Sequence, residues 1–236
     1  MGTQDRKVVV VTGGSQGMGA GIVEGYRGNG WAVVATARTI STSTDPAVLT
    51  IAGDISDPAT ADRIVGAALE TFGRIDTLVN NAGVYVSKPF IDYTAEDYAS
   101  VVGVNLTGFF RLTQLAISHM LARGSGHVIN ITTTLVDVAH SGAPSVLTAL
   151  TKGGLAAATR SLAVEYAARG IRVNAVSPGI LQTHAAESYA DLGDQLPPMR
   201  HVGQISDIVG AVLFLESSPF VTGEIVHVDG GEIAGH

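Results

Sequence analysis

The chain has 236 residues, a net charge of −7 and no cysteine. Its length and a hydrophobic content of 46% fit one large α/β domain, 1–236, and argue against disorder. The missing cysteines exclude a disulfide, a thiolate metal site and a thiol nucleophile. The acidic balance, with lysine only at positions 7, 88 and 152, speaks against a nucleic-acid partner.

No apolar run reaches the ~18–20 residues of a membrane span, and the start MGTQDRKVVVV lacks the apolar core of a signal peptide. A cytoplasmic protein without a membrane partner is expected. KVVVV (Lys7–Val11) is an unbroken β-branched run and predicts a strand buried on both faces. MGAGIVEGYRGNG predicts a helix, Trp31–Thr36 a second strand and AVLTIAG a third. In DPATADRIVGAALETFG, Asp57 is the N-cap, Pro58 opens the helix and Gly73 stops it. IDTLVN is a fourth strand. EDYASVVGVNLTGFFRLTQLAISHML is a long helix, bent near Gly103. GHVINIT is a fifth strand, Ser145–Arg169 a helix, IRVNAVS a sixth strand, QISDIVGAVLFLES a helix and EIVHVD a last strand. Strands alternating with helices predict a parallel sheet of about seven strands with helices on both faces. The irregular stretch Gly179–His201 is long enough to be a lid or binding loop.

Between the first strand and first helix, VVVVTGGSQGMGAG sets Gly13, Gly17 and Gly19 in a strand–turn–helix context. Such a turn lets the backbone approach a pyrophosphate, and the helix N terminus offers free N–H groups to it. The spacing is not G-x-G-x-x-G, and no Lys-Ser/Thr follows as in a Walker loop. With this loop the chain resembles the short-chain dehydrogenases/reductases, nearly end to end. Thr12–Gly19 matches their TGxxxGxG, and NNAG (Asn80–Gly83) follows the fourth strand. Asn105 in VNLTG matches a helix asparagine, SPGILQT (Ser177–Thr183) the PGxxxT segment, and VTGEIVHVDGG the C-terminal segment.

The resemblance implies a Rossmann-type doubly wound fold and a nicotinamide dinucleotide cofactor. It places Gly13, Ser15, Gln16, Gly17, Met18 and Gly19 around the pyrophosphate, and Asp54 and Ile55 at the adenine. Asn81, Ala82 and Gly83 line the nucleotide, Lys152 holds the ribose, and Pro178, Gly179, Ile180 and Thr183 border the nicotinamide. At the end of the second strand an acid would bond the ribose 2′-hydroxyl, but the chain has Ala37 and Arg38. A guanidinium can fork two hydrogen bonds to a phosphate, so NADP(H) is expected over NAD(H). Gln16 runs the other way, since many NADP-preferring relatives carry Arg or Lys there. The resemblance also implies a homotetramer, or a homodimer, built through the helices around Asn105–Leu121 and Ser145–Arg169.

The family's site is a Ser–Tyr–Lys set supported by an Asn, with Tyr and Lys four apart on one helix face. Its tyrosine gives a proton to the developing alkoxide as a carbonyl is reduced. Here Asn105 and Lys152 remain, but the tyrosine position is Thr148, and the chain contains no Y-x-x-x-K. Thr133, or its neighbours Thr132 and Thr134, takes the serine position. A threonine hydroxyl cannot store a proton near neutral pH, and losing a positioned acid costs ~10²–10⁴ in rate. His140 in the following loop and Tyr85 after NNAG are candidate donors; His140 reads more readily as a solvent-facing loop side chain, and Tyr85 equally well as a packing aromatic. His184 and Tyr189 are weaker candidates in the long loop. No ligand spacing suggests a metal. The expected function is an oxidoreductase acting on a small carbonyl or alcohol with an atypical proton donor. The alternatives are an inactive nucleotide-binding homologue and a non-redox isomerase or lyase.

Overall fold

A computed structural model describes residues 6–182 and 196–235. Among them the sheet has seven strands, all parallel: β1 (Val8–Thr12), β2 (Ala32–Ala37), β3 (Val48–Ala52), β4 (Thr77–Asn80), β5 (Gly126–Ile131), β6 (Ile171–Pro178) and β7 (Ile225–Val228). Their order is β3-β2-β1-β4-β5-β6-β7. The chain runs outward from β1 to β3, returns to β4 and runs outward the other way. That reversal opens a crevice beyond the carboxyl ends of β1 and β4, where doubly wound sheets bind ligands.

Every residue of β1 is buried. Val8 and Val10 pack beneath α2 (Pro58–Phe72) and α4 (Phe109–Arg123); Val9 and Val11 pack beneath α1 (Gly17–Gly28) and α6 (Ile205–Ser217). Burying one such side chain stabilises by ~1.5–3 kcal/mol, so the unbroken valine run anchors the centre of the sheet to both helical layers. Asp57 caps α2 by accepting from the Ala59 N–H at 3.0 Å, and Gly73 ends it at φ +74°.

The expected bend near Gly103 is a change of helix type. A short helix, α3 (Ala95–Val102), runs into a π-helical turn, Gly103–Gly108, and α4 continues from Phe109. A Cβ on Gly108 would lie 2.7 Å from the Ile55 carbonyl oxygen, so the turn is pressed against the segment after β3. The predicted fifth helix is α5 (Val146–Tyr166), followed by a 3₁₀ turn, Ala167–Arg169. The other boundaries shift by one or two residues.

On the second face α1 lies unusually close to α6. A Cβ on Gly21 would sit 2.5 Å from Ile205 Cγ2, and one on Gly25 2.6 Å from Val209 Cγ1. The Tyr26 hydroxyl donates to Glu216 Oε2 at 3.0 Å across 190 residues of chain. The Thr77 hydroxyl donates to the same oxygen at 2.9 Å. No helix among the described residues is long and apolar enough to cross a membrane.

Candidate active site

The turn after β1 is shaped by glycines. Gly13 and Gly17 have φ of +68° and +54°. A Cβ on Gly19 would fall 2.0 Å from the Gly13 carbonyl oxygen, so that position accepts no side chain. The N-cap of α1 is Gln16, and no side chain caps the helix. Its first N–H groups and the positive end of its dipole therefore remain for a ligand. Ser15 and Gln16 are exposed at the rim, and Met18 is half-buried.

Thr12, at the end of β1, ties this turn to the segment after β4. Its hydroxyl oxygen accepts from the Asn81 and Ala82 N–H groups at 3.0 and 2.9 Å. The Asn81 side chain donates to the Thr12 carbonyl at 2.8 Å. Asp54, after β3, accepts from the Ser56 hydroxyl and N–H at 2.7 and 2.9 Å. Those bonds, with Arg38 nearby, hold its carboxyl below the usual range. Arg38 and Asp54 are both exposed, whereas Ile55 is buried.

Asn105 sits on the π-helical turn. Its Oδ1 accepts from the Val84 N–H at 2.8 Å; its Nδ2 donates to the Val84 carbonyl at 3.0 Å and to Thr151 Oγ1 at 3.1 Å. One side chain thus fixes the backbone leaving Gly83 to the inner face of α5. Lys152 is buried on that face, four residues beyond Thr148, and donates to the Ile131 carbonyl at 2.6 Å. A Cβ on Gly83 would be 3.2 Å from its Nζ. Burial pushes the Lys152 pKa down to about 8. No carboxylate among the described residues pairs with it.

The sequence profile of the family described as Enoyl-(Acyl carrier protein) reductase matches residues 13–232. This chain belongs to the short-chain dehydrogenases/reductases. A 3-oxoacyl-[acyl-carrier-protein] reductase of Synechocystis sp. is 32% identical over 96% of this chain and 97% of its own length. Two solved structures superpose with a TM-score of 0.89. ElxO with NADP bound is 28% identical and covers 98% of this chain and 100% of its own. A short-chain dehydrogenase of Leptospira borgpetersenii with bound NAD+ is 31% identical and covers 97% and 93%. The protein is accordingly an oxidoreductase of a family that binds NAD(P).

The pocket of this short-chain dehydrogenase/reductase fits such a nucleotide on its own geometry. It has an uncapped helix end behind a glycine turn, and a buried ammonium without a counter-ion at the crevice. A nicotinamide cofactor supplies hydride chemistry when bound; the chain must supply the proton. Thr148 is buried, and its hydroxyl makes no hydrogen bond among the described residues. Thr133 accepts from the Leu135 N–H at 3.4 Å, and its own O–H donates to none of the described residues. Thr132 instead donates to the Val176 carbonyl at 3.2 Å. Tyr85 is 56% exposed. Pro178 is buried at the end of β6, the Gly179 N–H donates to the Val228 carbonyl at 3.0 Å, and the Ile180 carbonyl accepts from Gly203 at 3.0 Å. Thr183, His184 and Tyr189 lie outside the described residues. Among the described residues no group of three or more His, Asp or Glu is placed to hold a metal ion.

His140 is not a free surface side chain. Its Nε2 lies 2.7 Å from Glu232 Oε1, and Thr134 donates to Glu232 Oε2 at 3.1 Å. The motif reading stopped at Gly231 and missed this buried glutamate. Its signal was one of two acids, with Asp229, in the short tail that follows the last strand.

Proposed function

We propose that the protein interconverts a carbonyl and an alcohol, preferring NADP(H) to NAD(H), with a proton donor other than the family's tyrosine. The observation that carries this is Lys152: a desolvated ammonium with no acid partner is costly unless a ligand uses it. Its face of α5 also carries Thr148, and Asn105 holds the adjoining backbone through Val84 and Thr151. Gly13, Ser15, Gln16, Gly17, Met18 and Gly19 would hold the pyrophosphate; Asp54 and Ile55 the adenine; Asn81, Ala82 and Gly83 the ribose side; and Pro178, Gly179, Ile180 and Thr183 the nicotinamide. Thr133 would hold the carbonyl oxygen through its O–H. The NADP preference rests on Arg38, which stands near Asp54 at an edge where the second strand ends without an acid. Related structures carry either nucleotide, so this side chain is the discriminating feature.

The test is the loss of nicotinamide absorbance with NADPH and with NADH, using acetoacetyl-coenzyme A as a 3-oxoacyl thioester. NADPH turnover that Lys152→Ala removes is expected; turnover unaffected by that change would refute the assignment. Exposed apolar side chains on α4 and α5, Phe110, Leu150 and Val164, support a homotetramer or homodimer through those helices, which light scattering checks.

A further inference from the structure

The tyrosine is gone, yet the loop that follows Thr133 is not slack. The Thr134 hydroxyl and His140 Nε2 both reach the carboxylate of Glu232, at 3.1 and 2.7 Å. Asp137 Oδ2 lies 3.2 Å from His227 Nε2, on β7. The Ala143 N–H donates to the His140 carbonyl at 3.1 Å, closing a turn at the histidine itself. The loop is therefore pinned to the segment 227–232 through its own polar side chains.

Glu232 sits on a 3₁₀ turn, Glu232–Ala234, and is 4% exposed. A Cβ on Gly179 would come within 2.7 Å of its Oε2. A Cβ there would also meet Asp229 Cα at 2.8 Å, so only a glycine lets the segment expected to border the nicotinamide lie against the turn that carries Glu232. Burying a carboxylate costs several kcal/mol unless it is paired. Among the described residues His140 is its one basic partner. A clamp with no other task is made at less cost from neutral or apolar groups. The His140 side chain is 24% exposed, and its Nδ1 bonds to no described residue. One ring nitrogen is thus committed to Glu232 and the other is left for a ligand, the arrangement by which a carboxylate fixes the orientation of a catalytic imidazole.

We infer that Glu232 is a positioning residue that holds His140 as the acid replacing the absent phenol. This rests on the carbonyl-reduction reading above. The imidazolium donates Nε2–H to Glu232 and Nδ1–H to the carbonyl oxygen. A bound reduced nicotinamide would supply the hydride to the carbonyl carbon, and the oxygen would take the Nδ1 proton, so that C=O becomes CH–OH. The imidazole left behind is neutral, keeps Nε2–H on Glu232, and regains its proton from solvent at its exposed edge. Thr133 and Thr134 then divide the work, one toward the substrate oxygen and one toward the carboxylate.

The test compares wild type, His140→Ala and Glu232→Gln with NADPH and acetoacetyl-coenzyme A. In the nucleotide-free protein, an imidazole N–H proton far downfield in the NMR spectrum is expected, absent from H140A and moved upfield in E232Q. H140A should lose ~10²-fold or more in kcat, bind NADPH as wild type does by fluorescence, and recover activity in a saturable way with added imidazole. E232Q, isosteric but uncharged, should lose ~10-fold in kcat, the low end of what orienting a catalytic group contributes, with KM unchanged and no rescue by imidazole. The inference is overturned if H140A keeps kcat within twofold of wild type. It is equally overturned if imidazole rescues nothing, or if E232Q alters only KM and melting temperature. Wild-type protein that consumes no NADPH with any carbonyl would instead sink the underlying reading, and the acid role with it.

Discussion

Replacing Lys152 by methionine should make the nucleotide-free protein more stable while removing its ability to hold nucleotide. The Lys152 pKa falls from 10.5 to about 8 because the ammonium is buried. At ~1.4 kcal/mol per tenfold change in proton affinity, this is a penalty of roughly 3 kcal/mol at neutral pH. The hydrogen bond from Nζ to the Ile131 carbonyl offsets part of it, typically by ~1 kcal/mol. A net gain of about 1–2 kcal/mol for Lys152→Met at pH 7 is expected from urea unfolding. The pH dependence follows from linkage. Between about pH 8 and 10.5 the unfolded chain holds a proton at this lysine that the folded chain has released. Wild-type stability therefore rises with pH in that window, and the penalty is fully present below it. The gap between variant and wild type should narrow by about 2 kcal/mol from pH 7 to pH 9.5. Taking the difference between the two proteins cancels every group they share. A variant less stable than wild type at pH 7, or a gap that does not narrow, would refute the claim that Lys152 lacks a partner.

Thr148→Val removes a buried hydroxyl that has no partner among the described residues, so a gain of about 1 kcal/mol in unfolding free energy is expected; a loss would mean that the hydroxyl is bonded in solution. Arg38→Ala should weaken NADPH by about 10-fold or more, the value of a charge-assisted hydrogen bond, with little effect on NADH, as fluorescence titration would read. Asn105→Ala strands the Val84 N–H and carbonyl, while the Thr151 hydroxyl keeps its bond to the Leu147 carbonyl. At ~1–3 kcal/mol for each unsatisfied group and ~2–4 °C per kcal/mol, its melting temperature should fall by several degrees at least, which calorimetry checks.

The order and type of the main elements were legible because their signals are local. Four consecutive valines, an Asp-Pro before an amphipathic run and a glycine after it depend on no distant residue. The π-helical turn was visible only as a bend at Gly103. Its cause is the approach of Gly108 to the Ile55 carbonyl, a contact between segments 53 positions apart. The proposed nucleotide half of the site has a linear trace in Gly13–Gly19, Asn81 and Lys152, through glycine spacing and a helix lysine. The proposed proton-donating half has none. His140 and Glu232 are separated by 92 residues, and neither has a flanking pattern that separates a partnered side chain from a solvated one. Thr148 marks the departure in the sequence; the proposed replacement comes into view only through the packing of the C-terminal turn against Gly179.

The close seating of α1 on α6 also bears on how the chain is made. Tyr26 emerges from the ribosome 190 residues before the Glu216 to which it bonds. At ~5–20 residues per second that interval is roughly 10–40 s. Throughout it Val9, Val11 and Ile22 wait for Ile208, Val212 and Leu215 to cover them. The first layer, beneath α2 and α4, closes earlier, once Ala163, Ile171 and Val173 have been added to it. Late in its synthesis the newborn protein is thus one-sided, with a sticky apolar face that only its last sixth can close. Substitutions in α6 should consequently show first as aggregation during expression, ahead of any change in the rate of the folded enzyme.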